Sequence, residues 1–237
     1  KEALDCYSKF DRTVCVSDTV KDDFESIFDT KKSVEVLYNT NESEKIKKLS
    51  DEKVDDVNFS KDIINIISVA KIVPSKGYDR LMKIHKKLIE KNIKNHIYIL
   101  GIGEEKEKYE KYLAENNLTD TFTFLGYRDN PYKYVKKADL YVCSSRREGF
   151  STAVTEALIV GTPVVSTNCS GAYELLGENN EYGIVTENNE DALYEGIKKM
   201  LTTPDLLEAY AAKAKERGKA FSTEKTVKAV EEMLSAL

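Results

Sequence analysis

Histidine and cysteine, the residues that most often form metal centres and cross-links, are scarce in this chain. The 237 residues include two histidines and four cysteines, and no two cysteines have C-x-x-C spacing. His85 and His96 are too few and too far apart for a zinc site or a Ser/His/Asp triad. We therefore expect both histidines to be structural or exposed, and the cysteines to be reduced thiols of a cytoplasmic protein.

Long apolar runs and an excess of positive charge are also absent from the sequence. No run approaches the roughly 20 residues of a membrane span, and no signal peptide is visible. The formal net charge is −5, which does not favour nucleic acid or an anionic surface as a partner. A hydrophobic content of 41% with 32% charged residues is ordinary for a soluble globular protein.

Short apolar segments rich in β-branched residues recur from residue 63 onward. Amphipathic segments, with apolar residues three and four positions apart, separate them. This alternation predicts a doubly wound α/β domain with a parallel six-stranded, Rossmann-like sheet, and three more helical patterns predict a helical C-terminus. The predicted strands are IINIISV (63–69), HIYIL (96–100), TFTFL (121–125), DLYVC (139–143), PVVST (163–167) and YGIVT (182–186).

The first sixty residues have a different pattern. RTVCVS (12–17) and SVEVLYN (33–39) predict two strands, separated by a helix that starts at Ser17 or Asp18. The polar stretch that follows, about residues 40–62, is predicted to be a linker or an exposed helix. Because two strands and one helix cannot bury a core alone, this piece must pack on the main domain or belong to another one.

The loop AKIVPSKG (70–77) follows the first main strand and ends at a helix. Ligands of open parallel sheets bind beyond the carboxyl ends of the strands, where this loop lies. Lys71 and Lys76 would place two ammonium groups beside a helix N-terminus, which is an arrangement suited to anions. The alternative is that both lysines point into water, as most loop lysines do.

The loop GIGEEK (101–106) partly matches a dinucleotide fingerprint. Lys106 occupies the third glycine position, and Glu104 and Glu105 would repel a pyrophosphate. We therefore predict that its glycines make a tight turn that lets another part of the chain or a ligand pass close by.

The stretch SSRREGFSTAVTEALIVGTPVVST places two acids around a helix start. The N–H groups of Gly149, Phe150 and Ser151 would be free to hold a phosphate. Glu148 lies just before them, and Glu156, about one turn into the helix, would lean back toward the same ligand. A carboxylate there suits sugar hydroxyls rather than phosphate. The alternative is chance, since acids are abundant in this chain.

Taken together, these motifs resemble the C-terminal, donor-binding half of a GT-B glycosyltransferase of family 4, the group 1 glycosyltransferases. The resemblance covers about residues 63–201, and its most specific part is EGFSTAVTEA, with seven residues between the two glutamates. The motifs, in order, are VAKIVPSKG, ILGIGEE, FLGYRDN, ADLYVCSSRREGFSTAVTEALIVGTPVVST and YGIVTENN.

The resemblance implies roles for residues at matching positions. Lys76 would bind the donor diphosphate, assisted by Lys71, which stands where the family more often has arginine and so lacks the bidentate fork. Glu148 would contact the transferred sugar, and Glu156 would bind the ribose hydroxyls.

The remaining implied contacts lie in two loops. The amides of Gly149, Phe150 and Ser151 would hold the distal phosphate. Tyr127 and Arg128 would lie near the base.

The resemblance also implies the reaction and its partners. The donor would be a nucleotide-sugar, UDP first and GDP next, and its sugar would pass with retention of configuration to a glycan or lipid acceptor. No cofactor and no metal are expected, and the chain contains no D-x-D triplet, the usual metal–diphosphate anchor of the other major glycosyltransferase fold. The complete protein is expected in the cytoplasm, with possible peripheral association at the inner face of the membrane.

The resemblance further implies that most of an N-terminal acceptor-binding domain is missing, so that this chain alone would be poorly active. The predicted parts are the tail of that domain (1–40), a linker (41–62), the donor-binding domain (63–220) and a C-terminal crossover helix (221–237).

Other functions remain open at this stage. A nucleotide-sugar epimerase of the same fold would need further acid–base residues that the sequence does not reveal. A non-catalytic nucleotide-sugar-binding module would retain the motif without the reaction. A dehydrogenase is the least favoured, because the glycine fingerprint is incomplete.

Overall fold

All six predicted main strands are present in the computed structural model, which describes residues 2–7, 9–28 and 33–236. Two further short strands precede them. Residue 1 of the predicted N-terminal tail and residue 237 of the predicted C-terminal helix lie outside the described residues. The strands are β1 (Thr13–Cys15), β2 (Val34–Val36), β3 (Ile64–Val69), β4 (Asn95–Leu100), β5 (Phe122–Gly126), β6 (Leu140–Cys143), β7 (Val164–Thr167) and β8 (Ile184–Thr186).

Helices connect consecutive strands and follow the last one. Two short 3₁₀ turns, Pro74–Lys76 and Lys219–Phe221, accompany them. The helices are α1 (Glu2–Tyr7), α2 (Asp18–Ile27), α3 (Ser43–Ser50), α4 (Tyr78–Glu90), α5 (Lys106–Glu115), α6 (Tyr132–Lys137), α7 (Thr152–Val160), α8 (Ala172–Leu176), α9 (Glu190–Thr202), α10 (Leu206–Gly218) and α11 (Thr223–Ser235).

The main sheet is parallel, and its strand order is β5-β4-β3-β6-β7-β8. The chain runs outward from β3 to the β5 edge, returns to β6 beside β3, and then runs outward to β8. This confirms the predicted doubly wound, Rossmann-like sheet. The order reverses between β3 and β6, which is where sheets of this kind have a ligand-binding crevice beyond the carboxyl ends of the strands.

Neighbouring residues of each strand contribute to two hydrophobic cores, one on each face of the sheet. Ile66 belongs to the hydrophobic cluster that contains Leu81, on the face of the sheet covered by α4, α5 and α9. Ile67 packs on the opposite face with α6, α7 and α10, in the cluster that contains Leu158. Burial on both faces explains why the strands are almost continuously apolar.

His85 lies in the buried part of α4 and confirms the expectation of a structural role. Its ring nitrogens lie 2.8 Å from Asn95 Oδ1 and 2.8 Å from Thr121 Oγ1. Burial lowers the pKa of His85 to about 4, so the ring is neutral at physiological pH. His96 lies in β4, with its Nε2 2.8 Å from Thr123 Oγ1. The four cysteines are free thiols.

The N-terminal piece forms a separate two-stranded parallel sheet, β1 and β2, joined by α2. Its helix begins as predicted, with the Ser17 hydroxyl accepting a hydrogen bond from the Val20 N–H. The piece packs on the main domain, because the Tyr38 ring stacks on Phe150 with 4.9 Å between centroids. The Glu174 carboxylate also accepts hydrogen bonds from backbone N–H groups in the first turn of α2.

Residues 41–62 pack on the main domain, in contrast to the exposed helix that was one of the two predictions for them. They contain α3, whose Ile46 is 3% exposed and packs into the core on the α6 and α7 face. Further along, Phe59 is buried against the Tyr98 ring at 4.8 Å. Apolar residues that are scattered through this polar stretch therefore pack into the same core. The sequence pattern alone did not reveal this. Among the described residues, no helix is both long and apolar enough to cross a membrane.

Candidate functional site

Gly77 brings the loop after β3 against the end of β6. Its φ of +67° belongs to the left-handed region, and a Cβ placed on it would lie 2.1 Å from the Ser144 carbonyl oxygen. Glycine is therefore required here both for conformation and for space. The close approach puts Lys76, one residue earlier, at the point where the strand order reverses.

Further hydrogen bonds join the loops after β3 and β6. The Arg146 guanidinium binds both carboxylate oxygens of Asp79 at 2.7 Å, and its backbone N–H donates to the Ser75 carbonyl at 2.7 Å. This guanidinium holds the pKa of the Asp79 carboxyl below its ordinary value. The Ser144 hydroxyl donates to the Lys76 carbonyl at 2.8 Å. The two loops thus form one rigid wall of the crevice.

Lys76 and Glu148 lie in direct contact at this wall of the crevice. The Lys76 ammonium is 2.7 Å from Glu148 Oε1, and the side chains are 23% and 15% exposed. The Ser145 hydroxyl donates to the same carboxylate oxygen at 2.5 Å. Two of the predicted site residues are therefore brought together, and a cation and a hydroxyl both stabilise the Glu148 carboxylate.

The helix after β6, α7, begins at Thr152. Ser151 is the N-cap, and its hydroxyl accepts from the Val154 N–H at 3.4 Å. The first intrahelical bond is from the Thr155 N–H to the Ser151 carbonyl. The N–H groups of Thr152 and Ala153 therefore have no acceptor within the helix, and they border the crevice.

A cavity of about 350 Å³ opens between the Lys76–Glu148 pair and the start of α7. Gly149 does not line this cavity, and its carbonyl accepts a weak bond from the Ser17 hydroxyl at 3.5 Å. The predicted residues that line the cavity are Lys71, Lys76, Glu148, Phe150 and Ser151.

A second cavity, of about 450 Å³, lies beside the first at the carboxyl ends of β4 and β5. Tyr127 and Arg128 line it, and the Tyr127 side chain is exposed, at 66%. The Arg128 guanidinium is 3.2 Å from the Asp56 carboxylate, which orients it. Both cavities share Lys71 and two of its neighbours, so they form a continuous cleft along the sheet edge.

Glu156 lines neither cavity directly. It is half-buried in α7, and its carboxylate accepts a hydrogen bond of 3.3 Å from the Tyr132 hydroxyl, whose residue lines the second cavity. Burial raises the pKa of Glu156 to about 7, and the Tyr132 bond offsets only part of this. Burial and the adjacent acid raise the pKa of Tyr132 to about 12, so Tyr132 is the donor.

The glycines of the loop after β4 permit a close approach, as predicted. Gly101 has a φ of +149°, and a Cβ there would lie 1.9 Å from the Ala70 carbonyl oxygen. The segment that passes close by is the neighbouring loop after β3. The tight contact shapes the floor between the two cavities.

Two residues of the site were missed in the sequence. Arg80 is 5% exposed, and its guanidinium donates to the carbonyls of Ser144 and Ser145 and to Asn188. A signal existed, because Arg80 stands four residues before Ile84 on the apolar face of α4. Ser145 gave no signal, since a serine three residues before an acid is common.

Among the described residues, no group of three or more His, Cys, Asp or Glu side chains could hold a metal ion. The crevice instead offers an ammonium group, a carboxylate and free backbone N–H groups side by side. This combination can bind a ligand that carries both phosphate and hydroxyl groups.

Comparison with known proteins identifies relatives for most of this chain. Residues 50–217 match the model of the family described as glycosyl transferases group 1. The N-acetylgalactosamine-N,N'-diacetylbacillosaminyl-diphospho-undecaprenol 4-alpha-N-acetylgalactosaminyltransferase of Campylobacter jejuni is 34% identical over 192 residues. That alignment covers 80% of this chain and 50% of the relative, so the chain spans about half the length of this curated relative.

Two further likenesses are more distant. The poly(ribitol-phosphate) alpha-N-acetylglucosaminyltransferase of Staphylococcus aureus is 28% identical over 151 residues, which is 62% of this chain and 30% of the relative. The structure of HepE from Anabaena, solved in complex with UDP, superposes with a TM-score of 0.82 at 18% identity. That superposition covers 99% of this chain and 66% of HepE, and at this identity it shows a shared fold.

Proposed function

The chain belongs to the group 1 glycosyl transferases and has the Rossmann-like sheet of one half of a GT-B fold, and we propose that it binds a nucleotide-sugar donor. In the complete protein the donor sugar would pass, with retention of configuration, to a glycan or lipid acceptor. The observation that carries this proposal is the contact of Lys76 with Glu148 at 2.7 Å beside the start of α7. That contact places a cation, an acid and free N–H groups where the strand order reverses.

The diphosphate would lie between Lys76 and the helix start. The ammonium and the N–H groups at Gly149, Phe150 and Ser151 would stabilise the negative charge that grows on the departing nucleoside diphosphate. Lys71 lines both cavities and is exposed, so it would contribute a weaker, more screened attraction. These groups supply positive charge without a metal, and we expect donor binding to persist in a chelator.

Glu148 would lie at the sugar end. Its carboxylate would accept hydrogen bonds from hydroxyl or amide groups of the transferred sugar once Lys76 turns to the phosphates. This assignment makes Glu148 a contact of the sugar close to the reacting centre.

The nucleoside would occupy the second cavity. Tyr127 is exposed enough to pack on a base, and Arg128 is held beside it by Asp56. Glu156 would bind the ribose hydroxyls, since it lies behind Tyr132, which lines this second cavity. For this role Tyr132 must move aside or share the carboxylate with the ribose.

The activities by which the relatives are named favour particular donors. One relative transfers N-acetylgalactosamine to a lipid-linked diphosphate, another transfers N-acetylglucosamine, and HepE was solved with UDP. We therefore propose a UDP-N-acetylhexosamine as the first donor to test, with GDP-sugars as the alternative.

The domain limits follow from the same proposal. Residues 63–220 would bind the donor, 41–62 would link the domains, and 1–40 would be the tail of an acceptor-binding domain. The helix of residues 221–237 would cross back toward that domain. An acceptor attached to a lipid would bring the complete protein to the cytoplasmic face of a membrane. Neither an epimerase nor a non-catalytic module is favoured, since the named relatives are transferases.

Calorimetry on this chain tests the proposal. We expect UDP and one UDP-N-acetylhexosamine to bind in the presence of EDTA, and uridine, which lacks the diphosphate, to bind far more weakly. A lack of heat with UDP at millimolar concentration would rule out the proposed donor site. Tighter binding of GDP than of UDP would change the base but keep the site.

A further inference from the structure

Ser145 and Lys76 share one acceptor atom in the crevice. Both the Lys76 ammonium, at 2.7 Å, and the Ser145 hydroxyl, at 2.5 Å, bind Oε1 of Glu148. The Ser145 residue is 3% exposed, so its hydroxyl is largely shielded from bulk water. The carboxylate thus has one mobile, charged partner and one short, buried partner.

The two partners should behave differently when a donor binds, and this step rests on the proposed function. A diphosphate carries more negative charge than one carboxylate, so it would draw the flexible Lys76 ammonium away from Glu148. Ser145 has a side chain of a single rotatable bond and cannot follow. Its hydroxyl would then be the remaining side-chain donor that orients Glu148 toward the sugar.

The backbone of Ser145 is held unusually firmly. Its carbonyl accepts from Arg80 Nη2 at 2.6 Å, from the Thr167 hydroxyl at 2.6 Å and from the Cys169 thiol at 3.1 Å. Three donors on one carbonyl restrict rotation of the peptide that carries the hydroxyl. The Cys143 thiol lies 3.6 Å from that hydroxyl and packs against its other side.

Arg80 supplies the strongest of these anchors. Its Nε donates to the Ser144 carbonyl at 2.8 Å and its Nη1 to Asn188 Oδ1 at 2.9 Å, so the whole fork binds neutral oxygens. Burial, followed by repulsion from Arg146, lowers the pKa of Arg80 below its ordinary value. A buried cation is costly, and one that holds carbonyls rather than an acid points to a requirement for a planar, five-donor fork at this place.

We propose that Ser145 is the positioning residue of Glu148 and that Arg80 anchors Ser145 from beneath the loop. Ser145 lines the first cavity, whereas Arg80 does not. Ser145 acts through the direction of the Glu148 carboxylate, and Arg80 acts through the place of the Ser145 peptide.

Ser145→Ala tests the first part with UDP and with whichever of UDP-N-acetylglucosamine and UDP-N-acetylgalactosamine binds the unaltered chain more tightly. We expect UDP affinity to change less than about twofold and UDP-sugar affinity to fall about tenfold, the usual cost of losing a hydrogen bond to a charged group. Ser166→Ala is the matched control, because it removes another buried hydroxyl, bonded to the Thr167 carbonyl, that does not contact Glu148. It should leave the ratio of the two affinities unchanged.

Equal weakening of both ligands by Ser145→Ala would show a merely structural serine and overturn the proposal, as would unchanged UDP-sugar affinity. Absence of UDP binding by the unaltered chain would instead overturn the proposed function.

Two further variants guard against a folding defect. Ser145→Thr keeps the hydroxyl and should restore most of the UDP-sugar affinity. Arg80→Lys keeps the charge but loses the fork, and it should weaken the UDP-sugar more than UDP. It should also speed hydrogen exchange in residues 144–149. An Arg80→Lys chain with unaltered exchange and unaltered affinities would remove Arg80 from the proposal.

Discussion

Glu148 and Glu156 belong to one short stretch of sequence, yet they lie in opposite electrostatic surroundings. Glu148 has a cation and a hydroxyl on the same carboxylate oxygen, in a polar crevice. Glu156 is half-buried among apolar side chains, and Tyr132 is its hydrogen-bond partner. Its pKa rises to about 7 because burial disfavours the charged form.

The difference separates the two ends of the cleft. At the proposed sugar end, opposite charges already compensate each other and would be rearranged by the ligand. At the proposed ribose end, an acid is kept partly neutral and would gain hydrogen-bond partners from hydroxyl groups. One end would thus exchange partners on binding, whereas the other end would acquire them.

Of the proposed variants, Glu156→Gln should change the contrast between the two acids most strongly. The raised pKa means that Glu156 destabilises the fold at high pH, with no effect below about pH 4.5 and the full effect above pH 7. The rise from 4.5 to about 7 corresponds to about 3 kcal/mol, an upper limit for the stability that the variant should gain at pH 8. Urea unfolding at pH 5 and pH 8 measures it.

The same variant should bind donor less well. The affinity for UDP should fall about tenfold, while that for 2′-deoxy-UDP should change less, because the lost carboxylate is the proposed partner of the ribose hydroxyls. Glu115→Gln, an exposed acid of α5, is the control for both measurements. The burial argument would be contradicted if the gain in stability of Glu156→Gln over the unaltered chain were no larger at pH 8 than at pH 5.

Lys76→Met should have the next largest effect and acts at the other end. Loss of a charge-assisted contact to the diphosphate should weaken UDP by about 2 kcal/mol, or about 30-fold. Uridine affinity should be unaffected, since uridine has no phosphate. Isothermal titration of both ligands gives the comparison.

Lys94→Met is the matched control, because Lys94 precedes β4 and lies at the amino end of the sheet. The loss of UDP affinity in Lys71→Met should lie between those of the two variants, since Lys71 borders the cleft but is exposed. If Lys76→Met weakened uridine as much as UDP, the phosphate role of Lys76 would be wrong.

Tyr132→Phe should have the smallest effect of these variants, and it tests the surroundings of Glu156. Removal of the donor from Glu156 should raise the pKa of that carboxyl further, so the variant should lose about 1 kcal/mol at pH 8 and almost nothing at pH 5. Thermal unfolding across this pH range measures the difference. Tyr98→Phe is the control, because the Tyr98 hydroxyl donates to the Asn58 carbonyl at 3.3 Å. The stability that this variant loses should be the same at both pH values. A pH-independent effect of Tyr132→Phe would disconnect it from Glu156.

Much of the fold and part of the site could be predicted from local patterns. The alternation of apolar strands with amphipathic helices predicted the doubly wound sheet, and the resemblance to the family implied that Lys76 and Glu148 contact one ligand. The same reasoning missed the burial of Ile46, because a few apolar residues in a charged stretch have no clear period. It also missed Arg80, whose partners are backbone oxygens that any sequence would provide.

The sequence by itself determined the order of strands and helices, the glycines that permit close loop contacts, and the residue types at the crevice. These follow from periodicity and steric limits within a few neighbouring residues. Only the tertiary structure decided which groups meet: Lys76 with Glu148, Tyr132 with Glu156, and Arg80 with Ser145. Their charge states depend on burial and on partners far away in the chain, because desolvation and Coulomb energy are properties of the packed molecule.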